Sequence, residues 1–335
     1  MKKKTFFFKL TVFVNMLLLL LQVLAMDGLY LGIEIPALTL VTPLLCLVNF
    51  IFFIYWFLRL KWPLLLFLVS YALNFDQWQL LYQFKSRGIS TSNGLVVMSY
   101  NVRSFNRFLW LDQKDVPQAI SRYIETTNPD IVCFQEYAED LAPRFKKYPY
   151  KIFKPYLPDG KIGSCIISKQ PLFNAKPIIF EASSNGGMQA DLVWQRDTIR
   201  LYNLHFESLQ INATDTLFSS EYSKQFRSKI KRVFDVQKEQ VSHFNKLSSL
   251  TDFPQIICAD LNNNAFSESY KNLSKNRLDT FKEKGSGFGA TYDFSFFPLR
   301  IDYIFTSTNI KVSDYKTHDV SLSDHKPISV KLEWP

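Results

Sequence analysis

The sequence has few of the residues that mark common metal and redox sites. Its 335 residues include four cysteines and four histidines, and no two cysteines form a C-x-x-C pair, which excludes a zinc ribbon or a thioredoxin-type centre. It also has no internal repeat and no low-complexity tract, which excludes a solenoid or a propeller. Cys133, Cys165 and Cys258 each lie in a short apolar run, where a thiol packs as a small core residue. Buried thiols are therefore predicted, with disulfides as the alternative.

Charge is scarce in the first quarter of the chain. Residues 1–84 hold six of the 39 Lys and Arg and three of the 30 Asp and Glu, so +6 of the net charge of +9 belongs to residues 85–335. An excess of basic charge on the folded part suits an anionic partner, such as a phosphate ester, nucleic acid or an anionic lipid surface. Ordinary surface charge explains it equally well.

The sparsely charged first quarter contains three apolar segments: Phe6–Met26, Ile35–Leu58 and Trp62–Phe84. Each is long enough to span a hydrocarbon core, which takes roughly 20 residues. The third is the weakest of them, because Asn74 and Asp76 interrupt it. A basic start before an apolar run also describes a secretory signal peptide. However, the run is long, the residues after Ala25 make a poor cleavage site, and two more apolar segments follow. We therefore predict a membrane anchor of about three helices over residues 1–84, with Asp76 in the outer half of the third.

Basic residues predict the orientation of this anchor. In a three-span arrangement, Lys2–Lys4 fall on the same side as Arg59 and Lys61, and basic loops prefer the cytoplasm. The intervening segment DGLYLGIE contains no Lys or Arg. Everything after Phe84 is then expected outside the cytoplasm. If the third segment does not span, the large domain lies inside.

Residues 85–94, KSRGISTSNG, are polar and read as a linker. The remaining residues 95–335 are enough for one large core. Helices are predicted over Pro117–Thr127 and Ser220–Leu247 from apolar residues at helical spacing. Eight short runs rich in β-branched and aromatic residues predict strands: GLVVMSYNV, DIVCFQE, GSCIISK, DLVWQ, TIRLYNLHF, PQIICADL, RIDYIFTS and PISVKLEW. Many strands with few helices between them indicate a layered α/β domain.

Polar residues recur at the ends of these predicted strands, where α/β proteins place ligand sites. Taken singly, each is explained by a turn or a solvated strand end. Their repetition at the same kind of position on several strands predicts a shared site formed by Asn101, Glu136, His205, Asp260, Asn262, Asp302, Asp324 and His325.

Six motifs around these residues resemble, in order, the endonuclease/exonuclease/phosphatase superfamily, typified by pancreatic deoxyribonuclease and exonuclease-III-like repair enzymes. They are SYNVRSFN, PDIVCFQE, IRLYNLHFES, CADLNNN, LRIDYIF and LSDHKPI, and the resemblance covers about Leu95 to Trp334. It implies a four-layer sandwich, with two mixed β-sheets face to face and helices outside. The anchored arrangement looks like bacterial members, which implies an inner-membrane protein with a periplasmic catalytic domain.

The resemblance also implies a divalent-metal-dependent phosphoesterase. Mg²⁺, or Mn²⁺ in its place, prefers hard oxygen ligands and keeps several waters, so one or two carboxylates suffice. The metal ligands implied are Glu136 as the principal one, Asn101 beside it, and Asp324 directly or through water.

Five further residues are implied to act on the phosphate and the attacking water. Asp260 is expected to orient or deprotonate the water, and Asn262 to donate to the phosphate. His205 and His325 would flank the phosphoryl group, and Asp302 would hold His325 in the useful tautomer.

One position departs from the repair enzymes. These commonly carry an acidic residue where this chain has Arg103, which we expect to contact phosphate instead. The substrate is not decoded by the motifs. Nucleic acid is the favoured substrate, and a phospholipid headgroup or a small phosphate ester on the same core is the alternative. A non-catalytic binding domain is a third hypothesis, and no obligate protein partner is predicted.

Overall fold

The computed structural model describes residues 2–28, 32–84, 94–181, 183–209, 220–294 and 297–334. The helices in these ranges are α1 Lys2–Asp27, α2 Pro36–Leu58, α3 Leu64–Leu73, α4 Phe75–Leu81, α5 Val116–Thr127, α6 Ser220–Ser248, α7 Glu268–Ser274 and α8 Thr280–Lys284. Both helices predicted in the large domain are thus present, as α5 and α6. The predicted linker, apart from Gly94, lies outside the described residues.

Two N-terminal helices, α1 and α2, are long and apolar enough to cross a membrane. The 23 residues of α2 extend about 34 Å at the helical rise of 1.5 Å per residue. The third predicted span is not one helix, because the chain breaks at Asn74 between α3 and α4. The ten residues of α3 extend only about 15 Å, half of a hydrocarbon core. Among the described residues, two helices rather than three have spanning length, which corrects the prediction of a third continuous span.

The two short helices nevertheless return the chain along the α1–α2 hairpin. Near the middle of α3, the ring of Phe67 stacks on Phe53 of α2 with 4.9 Å between centroids. At the end of α4, Leu81 belongs to a cluster with Met26 of α1 and with Phe266 of the large domain. The large domain therefore contacts the end of the hairpin that is opposite to the start of α1 and the end of α2.

Buried polar side chains hold α1 and α2 together. Asn49 Nδ2 donates to Gln22 Oε1 at 2.8 Å, and Trp56 Nε1 donates to Asn15 Oδ1 at 3.0 Å. Asn15 Nδ2 in turn donates to Asn49 Oδ1 at 3.3 Å. Polar groups inside an apolar environment are costly unless paired, so this network favours one register of the hairpin.

The large domain is built on two six-stranded sheets. The order of strands is β13-β14-β1-β2-β4-β3 in the first sheet and β5-β6-β7-β8-β12-β9 in the second. Both sheets are mixed: β1 pairs parallel with β2 and antiparallel with β14, and β7 pairs parallel with β8 while β8 pairs antiparallel with β12. The strands are β1 Leu95–Asn101, β2 Ile131–Ala138, β3 Tyr150–Pro155, β4 Ile162–Ser168, β5 Leu172–Ile179, β6 Gly186–Trp194, β7 Asp197–His205, β8 Gln255–Asp260, β9 Arg277–Asp279, β10 Tyr292–Phe294, β11 Phe297–Leu299, β12 Asp302–Ser307, β13 Lys311–Thr317 and β14 Ile328–Glu333.

Three apolar interfaces arrange these elements in four layers. Val97 and Cys133 of the first sheet pack against Leu201 and Cys258 of the second. The other face of the first sheet packs on α5, and the other face of the second packs on α6 and α7. Central strands are thus buried on both faces, which explains why their sequences are nearly continuous apolar runs. The predicted two mixed sheets flanked by helices are confirmed, and all four cysteines are free and buried, as expected.

The strands that sequence analysis missed in the two main sheets are the four at the sheet edges: β13, β3, β5 and β9. Edge strands expose one row of backbone groups and protect it with charge, proline or irregularity. Accordingly, β5 contains Lys176 and Pro177, and β13 has a register shift between Val312 and Asp314. Such residues suppress the alternating apolar signal by which strands are recognised.

A buried histidine outside the shared site predicts acid sensitivity. His318 bonds Tyr123 Oη and Ser329 Oγ, each at 2.7 Å, and burial lowers its pKa to about 4. Between pH 4 and its ordinary value near 6.5, the unfolded chain binds a proton that the folded chain does not, so stability falls as pH falls. His318→Gln is expected to remove about 2–3 kcal/mol of the stability loss between pH 7 and pH 4.5.

The measurement is denaturant unfolding of the intact chain in detergent at both pH values. Exposed His243→Gln is the matched control and should keep the wild-type pH dependence. Equal pH dependence in His318→Gln and wild type would contradict the prediction.

Candidate active site

The ends of five strands bring the predicted residues to one edge of the sandwich. In the second sheet, His205 of β7 is the register partner of Asp260 of β8, and Asp260 is the register partner of Asp302 of β12. In the first sheet, Asn101 ends β1 and Glu136 lies near the end of β2. Because β1 and β2 are parallel, as are β7 and β8, the carboxyl ends of both pairs meet at this edge.

Asn101 joins the acidic residues of the two sheets. Its Nδ2 donates to Glu136 Oε1 at 3.1 Å and to Asp260 Oδ2 at 2.8 Å, while its Oδ1 accepts from the backbone N–H of Arg103 at 2.9 Å. The Asn101 side chain is almost fully buried, so both amide hydrogens need partners. The amide nitrogen of Asn101 thus lies between the two carboxylates and bonds both. Its Oδ1 atom accepts one hydrogen bond and keeps a second lone pair.

His325 and Asp302 form a buried ion pair. His325 Nδ1 lies 2.9 Å from Asp302 Oδ2, and His325 Nε2 lies 3.8 Å from Asp260 Oδ2. Burial opposes the charged form, but the carboxylates of Asp302 and Asp260 outweigh it and raise the pKa of His325 well above the usual range. The imidazolium therefore presents an Nε2–H donor towards the Asp260 carboxylate while Asp302 fixes the ring.

The pKa values of Asp260 and His205 are shifted in the direction that favours the neutral form of each group, whereas His325 favours its charged form. Burial raises the pKa of Asp260 to about 6, although His325 and the Asn101 amide favour its charged form. Burial lowers the pKa of His205, whose Nε2 lies 3.6 Å from Asp260 and 3.7 Å from Glu136. The edge thus combines a charged imidazole, a neutral imidazole and a carboxylate that titrates near neutral pH, which is the set that proton transfer requires.

Two predicted residues, Arg103 and Asp324, contact each other. Arg103 Nη1 forms a salt bridge of 2.8 Å with Asp324 Oδ2, and the guanidinium lies over the ring of Trp110. A metal at Asp324 or a phosphate at Arg103 would have to replace this contact. Ser323 Oγ donates to the carbonyl of Asn101 at 2.8 Å and so ties the loop before β14 to the end of β1.

The side chain of Asn262 donates to a backbone carbonyl directly after the neighbouring strand β7. Its Nδ2 donates to the carbonyl of Phe206 at 3.0 Å, and its backbone N–H donates to Asp260 Oδ1 at 2.9 Å. Its φ of 52° is left-handed, a conformation that Asn tolerates better than most residues. Here Asn262 secures the turn after β8 and orients the Asp260 carboxylate.

A backbone irregularity aims Glu136 at the cleft. The pairing of β2 with β4 shifts between Phe134 and Tyr137, and Glu136 itself has φ of 47°. Its side chain keeps 31% of its surface exposed, whereas Asp260 is fully buried and Asp302 nearly so. Burial raises the pKa of Glu136, and the Asn101 hydrogen bond opposes that shift. A bulge that redirects a side chain next to a site is a recurrent device.

Sequence reasoning missed three residues that complete the site. Tyr156 Oη accepts from the backbone N–H of Glu136 at 3.2 Å, and its ring lies 5.5 Å from that of His205. Thr291 Oγ1 accepts from the backbone N–H of Asp302 at 3.1 Å, and Tyr292 meets the His325 ring edge-on. Tyr156 directly follows β3, so the strand-end rule would have found it had that edge strand been recognised.

The donor set fits a hard divalent cation. Four carboxylates and two positively charged side chains lie at this edge, so negative charge is in excess. The carboxylates are those of Glu136, Asp260, Asp302 and Asp324, and the positive groups are Arg103 and His325. Ligand atoms of Asp260, Asp302 and His325 lie within 4.8 Å of one another. That trio is buried and already bonded internally, whereas an ion that keeps several waters needs an accessible oxygen. Glu136, at the open edge, meets this requirement best.

The comparisons with known proteins agree with this geometry. The model of a family described as "Endonuclease/Exonuclease/phosphatase family" matches residues 98–325. No curated protein matches the chain.

Solved structures share the fold at low identity. A protein of this family from Bacteroides thetaiotaomicron is 17% identical over 73% of this chain and 100% of that one, with a TM-score of 0.54. D. rerio TDP2 complexed with a single-strand DNA product is 17% identical over 72% of this chain and 100% of that one, with a TM-score of 0.52. The mannosyl-6-phosphatase Bt3783 of B. thetaiotaomicron is 16% identical over 72% and 100%, with a TM-score of 0.50.

The His325–Asp302 pair generates a prediction that does not depend on activity. Asp302→Asn removes the carboxylate that stabilises the imidazolium, so the pKa of His325 is expected to fall. An NMR pH titration of labelled histidine side chains measures it, with Asp314→Asn on the exposed face of β13 as the control. An unchanged His325 pKa in Asp302→Asn would show that Asp302 does not hold the charge.

Proposed function

The chain belongs to the endonuclease/exonuclease/phosphatase family, and we propose that it is a divalent-metal-dependent phosphodiester hydrolase that acts on nucleic acid. Members of this family are phosphoester hydrolases. The observation that carries the proposal is the convergence of Glu136, Asp260, Asp302 and His325 around Asn101 at an open edge. A binding domain without catalysis would not need a carboxylate and two imidazoles with opposite pKa shifts at one point.

The metal would be held by Glu136, with Asn101 Oδ1 and Asp324 as further oxygen ligands. Mg²⁺, or Mn²⁺, when bound supplies positive charge to the phosphoryl oxygens and the leaving oxygen. Occupation at Asp324 would release Arg103, whose guanidinium then becomes free to contact phosphate.

The chain's own groups divide the remaining work. Asp260, with a pKa of about 6, is ionised at neutral pH and accepts the proton of the attacking water. His325 donates from Nε2 to a non-bridging phosphate oxygen while Asp302 holds Nδ1–H. His205, neutral and beside Asp260, donates to the phosphoryl group or relays the proton. Asn262 orients Asp260 through its backbone N–H.

Nucleic acid is favoured by the basic charge of residues 85–335. A relative of the same fold was solved with a single-strand DNA product, and another is a mannosyl-6-phosphatase. A phospholipid headgroup or another small phosphate ester is the second candidate. The observation that favours it is the contact between the apolar N-terminal helices and the loop that follows Asn262.

Removing the proposed metal ligand tests the mechanism. Glu136→Gln in the full chain is expected to lose hydrolysis by at least about 10²-fold, because the carboxylate that holds the ion is lost. The measurement is turnover of single- and double-stranded DNA, RNA, an artificial diester and phospholipid vesicles, each with Mg²⁺ or EDTA.

The matched control is Glu139→Gln, an exposed carboxylate three positions along the chain, which should retain wild-type turnover. EDTA-resistant turnover, or equal rates in Glu136→Gln and wild type, would refute the metal assignment. The substrate that is cleaved decides between nucleic acid and the phospholipid or small-ester alternative.

We also propose that α1 and α2 anchor the chain in a bacterial inner membrane, and that α3 and α4 return the chain along this hairpin so that the large domain lies in the periplasm. Lys3 near the start of α1 and Arg59 after α2 lie at the same end of the hairpin, where Phe8 contacts Trp56. The large domain contacts the other end. Basic residues prefer the cytoplasmic side, so the domain is expected on the opposite side.

Cysteine labelling tests this orientation, since the native cysteines are buried. Leu250→Cys, at a site 81% exposed, is expected to react with an impermeant maleimide in spheroplasts. Lys61→Cys should react only after the membrane is opened. The reverse pattern would place the large domain in the cytoplasm.

A further inference from the structure

The N-terminal helices contact the large domain at the loop that directly follows Asp260. Asn264 Nδ2 donates to the carbonyl of Thr39, in the first turn of α2, at 2.9 Å. Phe266 packs in one cluster with Met26 and Cys46. Asn264 and Phe266 are almost fully buried. The turn that orients the Asp260 carboxylate is therefore packed on the apolar helices.

A carboxylate from the helix hairpin completes the start of α7. Glu34, with 2% of its side chain exposed, accepts from the backbone N–H of Glu268 at 2.8 Å and pairs with Lys238 Nζ at 2.8 Å. Lys238 also pairs with Glu268 at 2.9 Å. The first N–H groups of a helix lack partners within it, and Ser267 already serves the N–H of Tyr270. Glu34, which lies 234 residues earlier in the chain, thus supplies the hydrogen-bond acceptor for the Glu268 amide at the start of α7.

A second contact involves the segment that borders Asp302 and His325. Gln83, just after α4, exchanges two backbone hydrogen bonds of 2.9 Å with Gly287. A few residues later, Thr291 accepts from the backbone N–H of Asp302, and Tyr292 contacts the His325 ring. Two walls of the site are therefore attached to the same N-terminal unit.

We infer that helices α1–α4 are a structural part of the active site and not only a tether, with Glu34 and Asn264 as positioning residues. They hold the loop Asn262–Ser267, and through it the Asp260 carboxylate, in the reactive geometry. The catalytic part of this inference rests on the proposed function. Misplacement of a reacting group by about 1 Å is enough to cost on the order of 10²-fold in rate.

Hydrogen exchange of the full chain in lipid nanodiscs tests the attachment without any substrate. In Glu34→Ala, the backbone amides of residues 262–270 are expected to exchange at least about tenfold faster, because the Glu268 amide loses its acceptor and Lys238 its buried partner. Lys61→Ala, at an exposed position of the same N-terminal unit but at the opposite end of the hairpin, is the control and should leave this exchange unchanged. Unchanged exchange in Glu34→Ala would overturn the inference.

A cleavable linker gives an independent readout. A protease site inserted within residues 85–93 allows the covalent connection to be cut after purification. The inference predicts that the large domain stays with the helices after the cut. It also predicts that Glu34→Ala releases the domain more readily than Lys61→Ala. Immediate separation of the cleaved wild type would show that the helices are only a tether.

Kinetics then test positioning. Glu34→Ala and Asn264→Ala are expected to lower kcat by about 10–100-fold with KM changed less than about threefold, because the loop positions Asp260 and does not bind the substrate. Glu34→Gln keeps an acceptor for the Glu268 amide, and its kcat should lie between those of Glu34→Ala and wild type.

Faster exchange of the loop amides with an unchanged kcat would overturn the positioning role of Glu34 and Asn264. If the wild type turns over no phosphoester, the proposed function fails, and exchange and cleavage still decide the attachment.

Discussion

The hydrogen bonds of the Asn101 amide are the constraint on which the site depends. One nitrogen reaches Glu136 in the first sheet and Asp260 in the second, so a single side chain sets the distance between carboxylates from opposite layers. The two sheets must therefore pack in one relative position. Gln135 Nε2 also donates to Asn203 Oδ1 at 2.8 Å, so a buried hydrogen bond between two amide side chains connects the same two sheets. Apolar packing brings the sheets together, and these directional bonds fix their register.

Burial and concentrated negative charge together explain the opposing protonation states of the groups around Asn101. Asp302 and Asp260 keep His325 charged despite its burial, while burial drives His205 and Asp260 towards their neutral forms. Glu136, with 31% of its side chain exposed, extends from this buried group to the open edge. A divalent cation would reduce the surplus of negative charge there, which is the physical reason to assign metal-dependent chemistry to this edge. Under the proposed function, the Arg103–Asp324 salt bridge is a contact that substrate or metal would replace.

The contacts of the N-terminal helices show that these helices and the large domain are not structurally independent. Their composition separates them sharply from residues 95–335, which suggests an anchor joined to an independent enzyme. The buried Glu34 carboxylate and the Asn264–Thr39 hydrogen bond instead join the two parts at the loop beside Asp260. Chemistry and anchoring would then be parts of one structural unit, with the active-site edge close to the membrane-facing helices.

The central strands, and the polar residues at the ends of five of them, could be predicted from the sequence, because strands buried on both faces are continuous apolar runs and a polar residue marks where each run stops. The sequence could not reveal the four edge strands, whose charges and prolines hide the alternating pattern. Tertiary structure alone decided the pairings among the site residues. Asn101 with Asp260, Arg103 with Asp324 and Glu34 with Lys238 join positions far apart in the chain. Such contacts depend on how layers pack, which no local pattern encodes.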